Sequence, residues 1–346
     1  MAFVDAHDSS SKALREISKE NSIFVLAAGT TELSKIPGIT AAGASPELTR
    51  LTPAVDAEIM YAGRCISLDV PPMTPEGIPT PALISRACIS LLGMPVLIVD
   101  AGFTLYPKVP HVRSNLGSSL DPRTSPALPA YEDAVALGKY IATLLDGKYS
   151  NIIMAESIPG GTTTAYFILK LLGHNVKSSS SMPVDPDALK QEIFQSATEN
   201  LGAPNSPSEI MRNFGDYVTS TTVSAALNIH SSRVFLSGGT QMVAAYLLAR
   251  RMGKGDDMYL GTSRWVREHR PETVSLVPRE NLIISNPDFS GLHHPGLTEY
   301  ERGHVKEGVG MGFALALGRG AVGSDSELYR AITRLYQSFL QTGHDR

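Results

Sequence analysis

Glycine-flanked carboxylates are the side chains in this sequence best suited to chemistry. In YERGHVKEGVGMGFALALG, Tyr300 to Gly318, Glu307 precedes Gly308, Gly310 and Gly312 and then an apolar helical run. A carboxylate held by glycines at a helix start, in an apolar setting, suits a general base with a raised pKa. A solvated acid ahead of a Gly-rich helix–helix contact fits the same spacing. In MAESIPGGTTTAYFILKLLG, Met154 to Gly173, Glu156 opens a turn through Gly160, Gly161, Thr162 and Thr163 into a helix-like run. A helix N-terminus carries unpaired N–H groups and a partial positive charge, and threonine hydroxyls add donors, so a phosphate is well served there. No lysine follows the glycines, so this is not a Walker A loop, and the GxGxxG spacing is absent as well. The other reading is that Gly160 and Gly161 only make the turn and Thr162 or Thr163 caps the helix. LSGGTQMVA repeats the strand–Gly-Gly-Thr–helix plan, which adds Gly238, Gly239 and Thr240 to a phosphate or ribose site on the same rim.

Other residues invite weaker assignments. Lys177 is the nearest basic residue for a phosphate, and Ser178–Met182 supply hydroxyls or form a flexible loop. Asp100 and Asp288 fall at expected strand ends, where they meet substrate hydroxyls or cap a following turn. Trp265 and Arg264 stack on or pair with a ligand, or pack in the core and face solvent respectively. His293, His294 and His304 with Glu299, Glu301 and Glu307 are the one grouping that invites a metal. They lack HExxH or comparable spacing, so no metal is expected and His304 is placed near the nucleotide or Glu307.

The elements that must position these residues alternate along the chain. Short, non-alternating apolar runs at 22–30, 94–102, 151–161, 232–240, 257–263 and 281–291 read as strands buried on both faces of a parallel sheet. Helical patterns at 80–93, 129–147, 164–173, 186–202 and 241–253 separate many of them, several stopping at Gly. The fold class expected is α/β: a Rossmann-like, open, mostly parallel sheet with helices on both faces and a smaller accessory helical layer. Ligands of such sheets bind beyond the carboxyl ends of the strands, where the unusual residues fall. The segments 29–81 and 103–130 are Pro-, Gly- and Thr- or Ser-rich and read as long covering or functional loops. The organisation expected is an accessory segment over 1–80, an α/β domain over 81–323, and over 324–346 an amphipathic helix packed on the body or on a partner.

The totals exclude several function classes. A formal net charge of −4 and no basic stripe argue against a nucleic-acid surface. No apolar run approaches the ~20 residues that span a bilayer. The polar, acidic N-terminus is unlike a signal peptide, and the two cysteines, Cys65 and Cys88, lack CxxC spacing. A cytoplasmic protein is expected.

Several stretches resemble a known family: AGTTELSKIPGITAAGASPELT, PEGIPTPALISRA, ESIPGGTTTA, SSSMP, GGTQM, GTSRWV, PDFSGL and YERGHVKEGVGMG. They are similar to the archaeal and cyanobacterial-type relatives of nicotinate-nucleotide–dimethylbenzimidazole phosphoribosyltransferase, from about Gly29 to Gly318. Towards the bacterial enzymes the likeness narrows to ESIPGGTT, similar to their Glu-Met-Gly-Ile-Gly-Asn-Thr-Thr, and KEGVG, similar to their Gly-Glu-Gly-Thr-Gly. The resemblance implies that Glu307 is the general base, that Glu156 opens the phosphate loop, and that Gly160, Thr162 and Thr163 surround the nucleotide phosphate. Gly161 stands where the bacterial motif has Asn, Pro159 replaces an aliphatic residue, and Ala27–Thr31 (AAGTT) has no Gly-Asp-His-Gly. The activity implied is phosphoribosyl transfer from nicotinate mononucleotide to a benzimidazole-type aromatic nitrogen base, for the lower ligand of cobalamin, with no cofactor or metal, in a homodimer. Two alternatives stand beside it: a non-catalytic nucleotide-binding or regulatory protein, and a nucleosidase with water as acceptor.

Overall fold

A computed structural model describes residues 2–43, 45–69, 71–74, 76–292 and 294–342. Its centre is one sheet built from β1 (Val4–Ala6), β2 (Ser22–Ala28), β3 (Val96–Asp100), β4 (Asn151–Ser157), β5 (Arg233–Ser237), β6 (Met258–Ser263) and β7 (Leu282–Ser285). The strand order is β1-β7-β6-β5-β4-β2-β3, and every pairing is parallel except β1 with β7. The apolar runs become strands because both sheet faces are covered. Phe24, Leu26 and Ala28 enter one core and Ile23, Val25 and Ala27 the other, as side chains alternating along a strand must.

The first core is closed by the helices Pro46–Ala62, Ala82–Leu92, Met311–Val322 and Asp325–Thr342. On the opposite face lie Tyr131–Leu145, Gly161–Leu171, Tyr217–Asn228 and Thr240–Arg251. The C-terminal helix buries Leu328, Ile332, Tyr336 and Phe339 in the first core. Gly343 and the residues after it lie outside the described residues, as does His293.

The expected boundary at residue 80 is corrected. Strand β2 lies within 1–80 yet pairs with β3 on one side and β4 on the other. All seven of its residues are buried, so its backbone groups need ladders on both sides. The presumed loop over 29–81 also holds a helix, Pro46–Ala62, started by Ser45, whose hydroxyl accepts from Leu48 N–H (3.3 Å), and ended by left-handed Gly63.

The connections reverse direction at β2 and β4. From β2 the chain steps outward to β3, then crosses back to β4 and proceeds to β5 and β6. The carboxyl ends of β2 and β4 therefore splay apart and leave the crevice that open α/β sheets use for ligands.

Candidate active site

That crevice is a half-open cleft lined from several separate segments of the chain. One wall is the turn Glu156–Thr162 after β4, and a second is Thr40–Ala42 with Ser179–Ser181. The third is Val305 with Glu307–Val309, and Met73, Ile78, Pro79 and Pro81 supply an apolar side. Among the described lining residues, three are acids, Asp56, Glu156 and Glu307, and none is Lys, Arg or His.

Glu307 reaches the cleft from the turn before helix Met311–Val322. Its Oε1 accepts from Gly308 N–H (3.2 Å) and Gly312 N–H (3.0 Å), and Oε2 from Gly312 N–H (3.1 Å). Burial pushes its carboxyl up to about 7, against the lowering effect of the Gly312, Gly308 and Ser263 donors. Burial wins, so near neutral pH the group exists in both forms and can take a proton.

Glu156 is 3% exposed at the end of β4, and its carbonyl accepts from Val309 N–H (3.0 Å). Burial, then the neighbouring charges of Glu307, Asp216 and Asp56, hold its carboxyl well above the usual carboxylate range. Asp56, from helix Pro46–Ala62, was not singled out in the sequence. The hydroxyls of Thr80 and Ser157 donate to its two oxygens (2.7 and 2.6 Å), and burial raises it to about 6. No sequence motif marks Asp56; only the helical period that turns it inward hints at it.

The serine segment closes one end of the cleft. Ser178 Oγ donates to the carbonyl of Thr162 (2.6 Å), and Ser179 N–H donates to Thr240 Oγ1 (3.1 Å). Behind it Lys190, fully buried, donates to Ser178 Oγ (2.9 Å) and the Ser179 carbonyl (2.7 Å); burial lowers it to about 7. Lys190 carries no signal in the sequence because it sits in an ordinary helical pattern.

The sequence-derived candidates divide. Glu307, Glu156, Gly160, Gly161 and Thr162 line the cleft. Gly160 caps the helix Gly161–Leu171 at φ 82°, and no threonine side chain caps it. Thr163 is buried with its hydroxyl unpaired, outside the lining. Gly238, Gly239 and Thr240 stand behind the wall: a Cβ on Gly238 would lie 3.3 Å from Glu156 Oε1, and one on Gly239 3.3 Å from Glu307 Cβ.

The remaining candidates lie elsewhere. Lys177 is half exposed and pairs with Asp187 (2.8 Å), so its charge is already engaged outside the cleft. Asp288 is exposed and caps a turn through Ser290 N–H (3.0 Å). His304 sits 3.7 Å from Glu299, outside the cleft lining. Asp100 accepts from four backbone N–H groups of the following loop. Arg264 pairs with Glu301 and Glu268, while Trp265 packs on Phe289 and Tyr300. Among the described residues no three His, Cys, Asp or Glu side chains group as a metal site would. None of the described helices is long and apolar enough to cross a membrane.

An open, mostly parallel α/β sheet of this topology defines a class of fold that solved structures share. The crystal structure of nicotinate-nucleotide–dimethylbenzimidazole phosphoribosyltransferase from Thermus thermophilus matches with a TM-score of 0.61 and 15% identity, over 92% of this chain and 84% of that one. A structure of CobT from the same organism matches at 0.60 and 15%, over 96% and 93%. At this identity the likeness is one of fold, and at that level the resemblance seen in the sequence is borne out.

The chain belongs to the UPF0284 family. It is 45% identical to the UPF0284 protein of Thermoplasma acidophilum over 328 residues, 94% of this chain and 96% of that one. The UPF0284 proteins of Thermoplasma volcanium (43% over 326 residues) and Pyrococcus furiosus (39% over 329) are also similar. No family model matches the sequence.

Proposed function

We propose that this protein transfers the phosphoribosyl group of nicotinate mononucleotide to a benzimidazole-type base, giving the α-riboside 5′-phosphate used for the lower ligand of cobalamin. The observation that carries the reading is Glu307, a carboxyl raised to about 7 at the edge of a cleft that is otherwise largely apolar at one end and hydroxyl-rich at the other. The pyridinium of nicotinate mononucleotide is already cationic, so nicotinate leaves without an acid. The base nitrogen attacks C1′ as the C1′–nicotinate bond breaks, and the proton on the base ring passes to Glu307. Asp56, ionised above about pH 6, adds negative charge that favours a cationic ribosyl centre during transfer.

The phosphate end of the substrate is assigned to the start of helix Gly161–Leu171 with Thr162 and Ser179–Ser181. Gly161 and Thr163 N–H already donate to the carbonyls of Ile158 (3.0 Å) and Gly160 (2.9 Å), so the helix start contributes its dipole and the Thr162 N–H, and the buried ammonium of Lys190 lies directly behind the serines. Holding both substrates in one cleft supplies much of the rate, since fixing two reactants can be worth ~7–11 kcal/mol of barrier. A homodimer forms part of this proposal, and light scattering at micromolar concentration tests it.

The deciding experiment incubates the purified protein with nicotinate mononucleotide and a panel of aromatic nitrogen bases and follows nicotinate release. Base-dependent release is expected. Release without any base would favour the nucleosidase, and no release with any base would favour a non-catalytic nucleotide binder.

A further inference from the structure

Left-handed backbone is concentrated around Glu307. Among the described residues four non-glycine residues have a left-handed φ, and three of them flank Glu307: Val305 (62°), Lys306 (43°) and Val309 (51°). For β-branched valine this is a true outlier, and such geometry persists only where the surroundings over-determine it. Several contacts do so. Val305 N–H donates to the Ser181 carbonyl (3.1 Å), Val309 N–H to the Glu156 carbonyl (3.0 Å), and the Ser263 hydroxyl to the Lys306 carbonyl (2.7 Å).

Lys306 stands out among them. Its side chain is 1% exposed, and its ammonium donates to the carbonyls of Ser180 (3.0 Å) and Met182 (2.7 Å), 3.6 Å from Asp185 Oδ1. Asp185 does not depend on it, because Arg270 and His269 (2.6 Å) already pair with that carboxylate. A glycine would adopt the Lys306 φ without strain. The lysine backbone conformation is therefore offset by what its side chain holds. What it holds is the segment carrying Ser179–Ser181, the opposite wall of the cleft.

We propose that Lys306 is a positioning residue: its ammonium ties the Glu307 turn to the 180–185 segment and so keeps the Glu307 carboxyl against the Gly308 and Gly312 N–H groups at the cleft edge. The inference rests on Glu307 being the base.

Two variants separate positioning from plain structural support. Lys306→Met keeps the bulk and the strained φ but removes the ammonium bonds, whereas Lys306→Gly removes bonds and strain together. Both are expected to lose turnover by on the order of 10²-fold, as a small misplacement of a reacting group does, with the KM for nicotinate mononucleotide nearly unchanged. Amide hydrogen exchange at Gly308 and Gly312, measured without substrate, should quicken in both. Should the Met variant fail to fold, the Gly variant, free of left-handed strain, carries the test. Wild-type turnover and unchanged exchange in a folded variant would overturn the tie. If the wild-type protein releases no nicotinate while exchange still quickens in the variants, the transfer reading fails and the tie stands.

Discussion

After β4 the chain turns through Pro159, Gly160, Gly161 and Thr162 into a helix, and after β5 it turns through Gly238, Gly239 and Thr240 into another. The two turns share their small residues and diverge in service. Gly160 takes φ 82°, lines the cleft, and would place a Cβ 2.5 Å from Thr31 Oγ1 and 3.1 Å from the Ser34 backbone nitrogen. Gly239 has φ −87°, stays out of the lining, and leaves room for Glu307, while Thr240 accepts from Ser179 N–H. Position relative to the switch point explains the difference. The first turn ends β4, next to β2, where the crevice opens; the second ends β5, one strand further on, where it can only back the wall.

The comparison breaks first at Glu307, which lines the cleft together with the first turn and lies against Gly239 of the second. Glu307→Gln should lower base-dependent nicotinate release by ~10²–10⁴-fold with substrate binding kept. A base with no ring proton to lose should suffer less, and near-wild-type turnover of benzimidazole would sink the assignment. The carboxylate form accepts the proton, so kcat/KM should rise with pH through about 7. A flat profile across that range contradicts the raised carboxyl.

Substituting the two glycines separates their roles. Gly160→Ala should lower the melting temperature, at about 1 kcal/mol or more, because Ala is incompatible with φ 82°. It should also weaken nicotinate mononucleotide binding, read by calorimetry. Gly239→Ala meets only Glu307 Cβ at 3.3 Å and Cγ at 3.4 Å, with Gln241 Oε1 beyond, so it should cost kcat several-fold with KM unchanged. Both variants failing in the same kinetic parameter would erase the distinction.

A smaller effect tests the acid wall through stability. The folded Asp56 carboxyl, at about 6, binds its proton more tightly than the unfolded group at 3.8. Its contribution is therefore fully present below about pH 4 and is lost as pH rises through about 6. Asp56→Asn should flatten that part of the melting-temperature profile; an identical slope in the variant across the same window argues against the shift. The smallest effect belongs to Lys177→Ala, which should leave nucleotide affinity within about twofold, since the residue is exposed and paired.

Much of the frame is legible in the sequence. Six of the seven strands stand out as apolar runs, and the helices Ala82–Leu92, Tyr131–Leu145, Asp187–Leu201 and Thr240–Arg251 as periodic patterns. Strand Val4–Ala6 escapes notice because three residues carry no period. The helices Pro46–Ala62 and Tyr217–Asn228 escape it because prolines, threonines and serines mask their buried faces. Glu307, Glu156 and the Gly160–Thr162 turn are legible because glycines beside a carboxylate or a helix start are local signals.

Local sequence thus dictates which runs must be buried on both faces and which glycine turns follow them, since these depend on neighbours within a few residues. The assembled fold alone brings Asp56, Glu156 and Glu307 into one cleft, buries Lys190 and Lys306 behind its serine wall, and leaves Lys177, His304 and Asp288 out of the lining. Those groups come from segments as far apart as Thr40 and Val309, which meet only when β2 and β4 are adjacent. Burial and charge proximity, the causes of the raised carboxyls of Asp56, Glu156 and Glu307, exist only after that meeting.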